Sequence, residues 1–297
     1  MAPKRDAKVV SIANDKGGAG KTTVTANLAA SLAATGRKVM VADIDLSGAL
    51  PLAFGLSDHP ARDDGRGLVD AILASTKPAI VPGIRDNIDW LPGGGMIWEL
   101  VVAAIRDGVH LPSLFAEMLD NFRTDYDFIL LDCPPSNPPL QEMVLAGSGW
   151  LLVPAHPDPS NWDGLRRIGP IVKHVRRTSN PSLAWLGVLI FGVPVAGKRI
   201  MRVTRGYLDE AAGTVPVMET TIRYLATSGL LSQISGRLAR ELAEDRKIES
   251  KQIVSDLRRG VSSPVTADER IPASVDGLAA DYDNLAKEVL AKIGSTR

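Results

Sequence analysis

The chain has 297 residues, 45% of them hydrophobic and 23% charged, with 34 Lys+Arg against 34 Asp+Glu. This composition fits a globular protein and excludes a low-complexity chain, and zero net charge gives no overall attraction to nucleic acid. One cysteine, Cys133, excludes a disulfide framework or a cysteine-rich metal centre within one chain, and no apolar run reaches the ~18–20 residues of a membrane helix.

Residues 1–8 are short and basic and lack the apolar core of a signal peptide, so a reducing, cytoplasmic setting is expected. Further along, apolar runs rich in β-branched residues alternate with helical patterns. Strands are expected at 9–13, 39–42, 88–91, 128–131, 150–153, 186–190 and 215–218. Helices are expected at 22–34, 67–74, 97–107, 139–146, 161–175 and 201–212. Such alternation predicts an α/β, doubly wound, mostly parallel sheet flanked by helices. After Leu225 the chain turns helical and densely charged over 230–259, breaks at Ser262, Ser263 and Pro264, and ends in a helix over 275–293. One domain is expected, with a core at about 8–228 and a helical C-terminal region at about 229–297.

Between the first strand and the first helix lies Lys16-Gly17-Gly18-Ala19-Gly20-Lys21-Thr22-Thr23. Strand, glycine loop and helix are the context of a phosphate-binding loop. Backbone N–H groups of such a loop point inward, and the helix N-terminus adds partial positive charge. Lys21 is placed to reach terminal phosphates and Thr22 to ligate Mg²⁺. The loop departs from the general pattern: Asp15 stands where the first glycine is usual, and Lys16 is an additional lysine. This KGGxGKTT form resembles the deviant Walker A box of the ParA/MinD ATPase family, whose extra lysine reaches the partner subunit's nucleotide. The resemblance implies a P-loop NTPase fold, ATP and Mg²⁺ as ligands, slow ATP hydrolysis and an ATP-dependent homodimer.

The second strand ends in Asp43 and Asp45, which alternate and so share one side of an extended chain. Acids placed there can hold Mg²⁺-bound water or orient an attacking water. The family reads D-x-D-P-Q-G-N at this point. Here both acids and Gly48 match, whereas Leu46, Ser47 and Ala49 depart from it. By resemblance, Asp45 positions the hydrolytic water. Asp132 ends the apolar run from Phe128 and precedes Cys133-Pro134-Pro135, matching the family's Walker B aspartate and D-x-P-P. The resemblance also sets the segment after the last core strand beside adenine, which makes Pro216 and Met218 the expected base contacts. Compared with a minimal family member, 230–270 reads as an insertion.

Between Asn161 and Leu208 nine Lys/Arg face one acid, Asp163. Almost no aromatic residue is interleaved, so phosphate contact with duplex DNA is favoured over stacking on single strands. By charge alone such a run is more often a solvated helix face. The family's nonspecific DNA binding raises the DNA reading, with Arg199, Arg202, Arg205 and Arg223 as contacts. The resemblance then implies a partition ATPase on nucleoid DNA, released by a ParB-like centromere-binding protein that stimulates hydrolysis. Two alternatives stay open: a ParA-like ATPase that positions a protein cargo, and a MinD-like membrane-associated division-site ATPase. No membrane partner is expected, because the terminal helix mixes Asp281, Asp283 and Glu288 with its lysines. A redox ATPase like the nitrogenase iron protein needs two cysteines per subunit.

Overall fold

A computed structural model of the chain describes residues 8–194, 204, 206, 215–225, 235–259 and 270–295. The strands are β1 (Lys8–Ile12), β2 (Val39–Asp43), β3 (Val81–Arg85), β4 (Ile88–Leu91), β5 (Phe128–Asp132), β6 (Trp150–Ala155), β7 (Ala184–Val193) and β8 (Val217–Arg223). They form one sheet in the order β3-β4-β2-β5-β1-β6-β7-β8. Among these strands only the β3–β4 pair is antiparallel; every other pair is parallel. The chain leaves β1, builds outward on one side, returns to β5 beside β1, and then crosses to β6. The point of reversal therefore lies at β1, whose carboxyl end opens into the crevice where ligands bind in such sheets.

Central strands are apolar throughout because both faces are covered. Val9, Met40, Ala42, Ile129 and Leu131 point into one core. That core is closed by helices α3 (Arg66–Ala74), α4 (Met96–Asp107), α5 (Leu111–Asp120), α6 (Pro138–Ala146) and α7 (Pro159–Thr178). Val10, Ile12, Val39, Val41 and Leu130 point into the other core. Helices α1 (Lys21–Ala33), α2 (Leu50–Ala53), α8 (Ala239–Arg258) and α9 (Ser274–Ser295) serve that side. Helix α9 buries Tyr282, Leu285, Ala286, Val289 and Ile293 against α1 and β8.

Three elements differ from sequence expectation. β3 reads Val-Pro-Gly-Ile-Arg, and its proline and glycine are tolerated because it is an edge strand. α5 begins at Leu111-Pro112, with proline in the first turn, where its missing N–H has no intrahelical acceptor to serve. β8 runs to Arg223 rather than stopping at Met218. The helix expected at 201–212 lies largely outside the described residues, as do Arg199, Arg202 and Arg205.

The last strand is fastened by carboxylates from α9. Pairing with β7 shifts register between Val188 and Ile190. In that stretch Glu288 accepts from the Glu219 and Thr220 N–H groups, both at 2.8 Å. Burial acts to raise the Glu288 pKa, but these backbone donors outweigh it and hold the carboxyl below its usual range. Asp281 accepts from Arg223 three times: from its backbone N–H at 3.0 Å and from its guanidinium at 2.7 and 2.9 Å. Gly277 makes room for this pair, since a Cβ there meets the Arg223 guanidinium. Arg223, expected as a DNA contact, is thus paired with Asp281 within the fold and keeps a third of its side chain exposed. Arg223→Ala is expected to cost on the order of 1 kcal/mol, moderated by partial exposure of the pair. Urea titration checks this, and combining it with Asp281→Ala should add little to either single change.

Candidate nucleotide-binding site

The loop from Ala13 to Gly20 leaves the carboxyl end of β1 and enters α1. Asn14 anchors its start, donating to the Pro154 carbonyl at 2.7 Å and accepting from the Lys16 N–H at 3.0 Å. Gly18 and Gly20 take φ of 72° and 88°, a left-handed conformation that glycine adopts without strain. A Cβ on Gly20 would also run into the Phe191 ring. Lys21 is buried at the loop's centre, its Nζ 3.5 Å from the Lys16 carbonyl oxygen. Lys16 is half-exposed, 3.9 Å from Asp158 at the end of β6. Gly17, Gly18, Ala19, Gly20, Lys21, Thr22 and Thr23 all line one cavity of about 550 Å³.

Beneath the loop two acids face each other. Asp43 and Asp132 end β2 and β5 in direct register, and both are fully buried. Burial raises the Asp43 pKa well above the carboxylate range, helped by the charges of Asp132 and Asp45 and opposed by the nearby backbone N–H groups of Leu50 and Asp45, neither of which comes within full hydrogen-bond geometry of its oxygens. Burial likewise pushes Asp132 up to about 7, against the opposing hydrogen bond from Thr22. Its Oδ1 accepts from Thr25 at 3.4 Å, while its Oδ2 has no partner. Asp45 lies just beyond, in the cavity wall, accepting from the Ser47 N–H at 3.0 Å.

Three orphaned carboxylate oxygens beside a threonine hydroxyl fit a hard divalent cation. Among the described residues no group of three His, Cys, Asp or Glu side chains is arranged to hold a metal by itself. A cation here would therefore complete its shell from phosphate and water, as Mg²⁺ does.

The far end of the cavity is apolar, walled by Phe191, Ile222, Leu242, Leu278 and Tyr282. The two expected base contacts do not line it: Met218, within β8, is buried in the core, and Pro216 precedes that strand, its carbonyl accepting from Val188 at 2.8 Å. Both sit at the amino end of a parallel strand. The carboxyl end, residues 222–225, reaches the cavity instead.

Other residues at the loop were not foreseen. His156 Nε2 lies 3.1 Å from the Gly18 carbonyl, and its ring meets Phe191 edge-on at 5.3 Å. Arg167 of α7 donates to the buried Asp15 at 3.2 Å, and the Ser136 hydroxyl donates to the Asp15 carbonyl at 2.5 Å. His156 and Phe191 follow or end sheet strands at their carboxyl side, which is the positional signal available in the sequence.

Strand, glycine loop, helix N-terminus and strand-end aspartates define a P-loop nucleotide-binding protein. A family profile described as an AAA domain matches residues 7–185. The chain is 30% identical over 254 residues to the chromosome-partitioning ATPase Soj of Treponema pallidum, covering 79% of this chain and 96% of that one. Its fold resembles that of a Cyanothece McdA variant in complex with ATP, with a TM-score of 0.71, 16% identity and 98% of each chain covered. It also resembles the septum site-determining protein MinD of Pyrococcus horikoshii complexed with Mg-ADP, with a TM-score of 0.65, 25% identity and 98% and 100% covered. The chain belongs to the ParA/MinD family of P-loop ATPases.

The buried carboxylates generate a pH prediction. In the folded protein Asp132 keeps its proton up to about pH 7, whereas the unfolded chain ionises near pH 4. Between these values the folded state binds more protons, so its stability falls as pH rises. Thermal melts of nucleotide-free protein should show that decline, and Asp132→Asn should make it shallower, Asp43 contributing the remainder. A Gly20→Ala change, strained and blocked by Phe191, should abolish nucleotide binding in equilibrium dialysis.

Proposed function

We propose that this protein is a ParA-like partition ATPase, which binds ATP and Mg²⁺, dimerises around ATP and holds nonspecific duplex DNA in that state. The observation carrying this reading is the pairing of a two-lysine phosphate loop with unpartnered Asp43 and Asp132 oxygens directly beneath it. Loop N–H groups and Lys21 bind the phosphates, with the α1 N-terminus adding its dipole. Thr22, Asp43 and Asp132 would hold the cation. Bound Mg²⁺ supplies charge neutralisation on the phosphates. Asp45 orients the water for in-line attack, and Lys16 stands exposed enough to reach a second subunit's nucleotide. The base occupies the apolar end of the cavity. DNA contacts are assigned to Arg199, Arg202 and Arg205, and release follows hydrolysis stimulated by a ParB-like partner. The protein then works in the cytoplasm on the nucleoid.

One observation bears on the alternatives: the apolar face of α9 is packed into the core, which weighs against a MinD-like membrane switch acting through that helix.

Filter binding of random-sequence duplex DNA with ATP, ADP or no nucleotide tests the proposal. Binding that needs ATP and weakens steeply with salt is expected; equal binding in all three states, or none, would overturn it. Lys21→Ala should weaken ATP binding roughly 100-fold or more by removing charge-assisted bonds to phosphate. Asp45→Ala should keep ATP binding and slow hydrolysis by about 10²–10⁴-fold, leaving the dimer trapped in sedimentation velocity.

A further inference from the structure

Nine large apolar side chains are exposed among the described residues, and five of them share one surface. Trp98, Val102 and Ile105 project from α4, Val109 follows the Gly108 cap, and Leu73 projects from the adjoining α3. Ile105 is 66% exposed and Leu73 61%. Along α4, Trp98, Val102 and Ile105 are separated by four and three residues, the a/d spacing of a seam that receives another helix.

Charge identifies the occupant. Beside the seam, Glu99 stands next to Trp98, and Asp70 lies one turn from Leu73 on α3. Arg106 is held by Asp107 at 2.7 and 2.9 Å, so the two flanking acids face outward without that cation. The second positive charge, Arg66, sits at the opposite end of α3.

We propose that the α3–α4 surface docks one amphipathic helix of a partner protein, its apolar stripe along Trp98, Val102 and Ile105 and its basic flank against Glu99 and Asp70. The surface is tied to the nucleotide site through the start of α4. Gly95 donates to Asp64 at 2.7 Å, and Gly93 lies so close to the Asp43 carbonyl that no Cβ fits between them. A helix bound here therefore bears on the segment that abuts β2 where it ends in Asp43.

The test uses the full chain with ADP and a fluorescein-labelled synthetic helical peptide of about 18 residues, with leucines at a/d spacing and lysines flanking them. Fluorescence anisotropy should show saturable binding, weakened at least roughly 10-fold by Ile105→Glu and by the double change Glu99→Lys, Asp70→Lys. The same peptide with glutamates in place of lysines should bind at least roughly 10-fold more weakly. All changed residues are exposed, and thermal melts confirm that the variants fold. Equal affinity for wild type and Ile105→Glu, or no preference for lysine over glutamate flanks, overturns the proposal. Wild-type self-association in sedimentation velocity that Ile105→Glu abolishes also overturns it, in favour of a second copy. None of these readouts depends on ATP-driven DNA binding, so either reading can fail alone.

Discussion

The rest of the site depends on two carboxylates buried side by side at the ends of neighbouring strands. Asp43 and Asp132 share a register position on β2 and β5, out of water, with three oxygens that no protein donor satisfies. Such an arrangement is unfavourable in isolation, because desolvation and like charge both oppose ionisation. It becomes favourable when positive charge is placed above it. Lys21, the threonines of the first α1 turn and the helix N-terminus supply part of that charge, and a divalent cation with its phosphates supplies the rest. The sheet order makes this possible: β5 lies between β1 and β2, so the acid at its end falls beneath the loop that leaves β1.

Around this centre the loop is held from several sides. Asn14 ties it to β6, Ser136 ties it to the segment after β5, and Arg167 ties it to α7. Phe191 rests against Gly20 and His156 meets Gly18. Movement at the ends of β6 and β7 is thus transmitted to the phosphate loop by direct contact. Lys16 is half-exposed and the adjoining Gly17 and Gly18 are exposed, so this side of the loop is accessible to another molecule.

Much of this was readable from sequence where local chemistry dictates structure. The loop, the strand ending in Asp43 and the strand ending in Asp132 carry their signals within a few residues. Ile88–Leu91 was placed to the residue because turn formers bound it on both sides, Asp86-Asn87 before and Pro92-Gly93 after. Elsewhere tertiary context decided. β3 contains proline and glycine, and only its position at the sheet's edge allows it to pair. The end of β8 depends on α9, whose acids hold residues 219–223 from across the chain, so the sequence window stopped early and missed the strand end that reaches the cavity. Arg223 illustrates the same gap: a lone arginine reads as a surface charge until Asp281, distant in sequence, is brought beside it. His156 and Phe191 belong to no motif and acquire a role only through the closeness of β6 and β7 to β1.

The treatment of the two outermost strands has a consequence for how copies of this protein can meet. An open strand edge is a template: another extended segment can add to it, and repeated addition leads to irreversible aggregates. Here β3 is five residues long and interrupted by Pro82 and Gly83, and β8 has backbone donors already taken by Glu288 and Asp281. Neither edge offers a clean ladder to a newcomer. Association is thereby directed away from the backbone and towards loops and helix faces, where contacts form and dissolve with the state of the site instead of locking into a growing sheet.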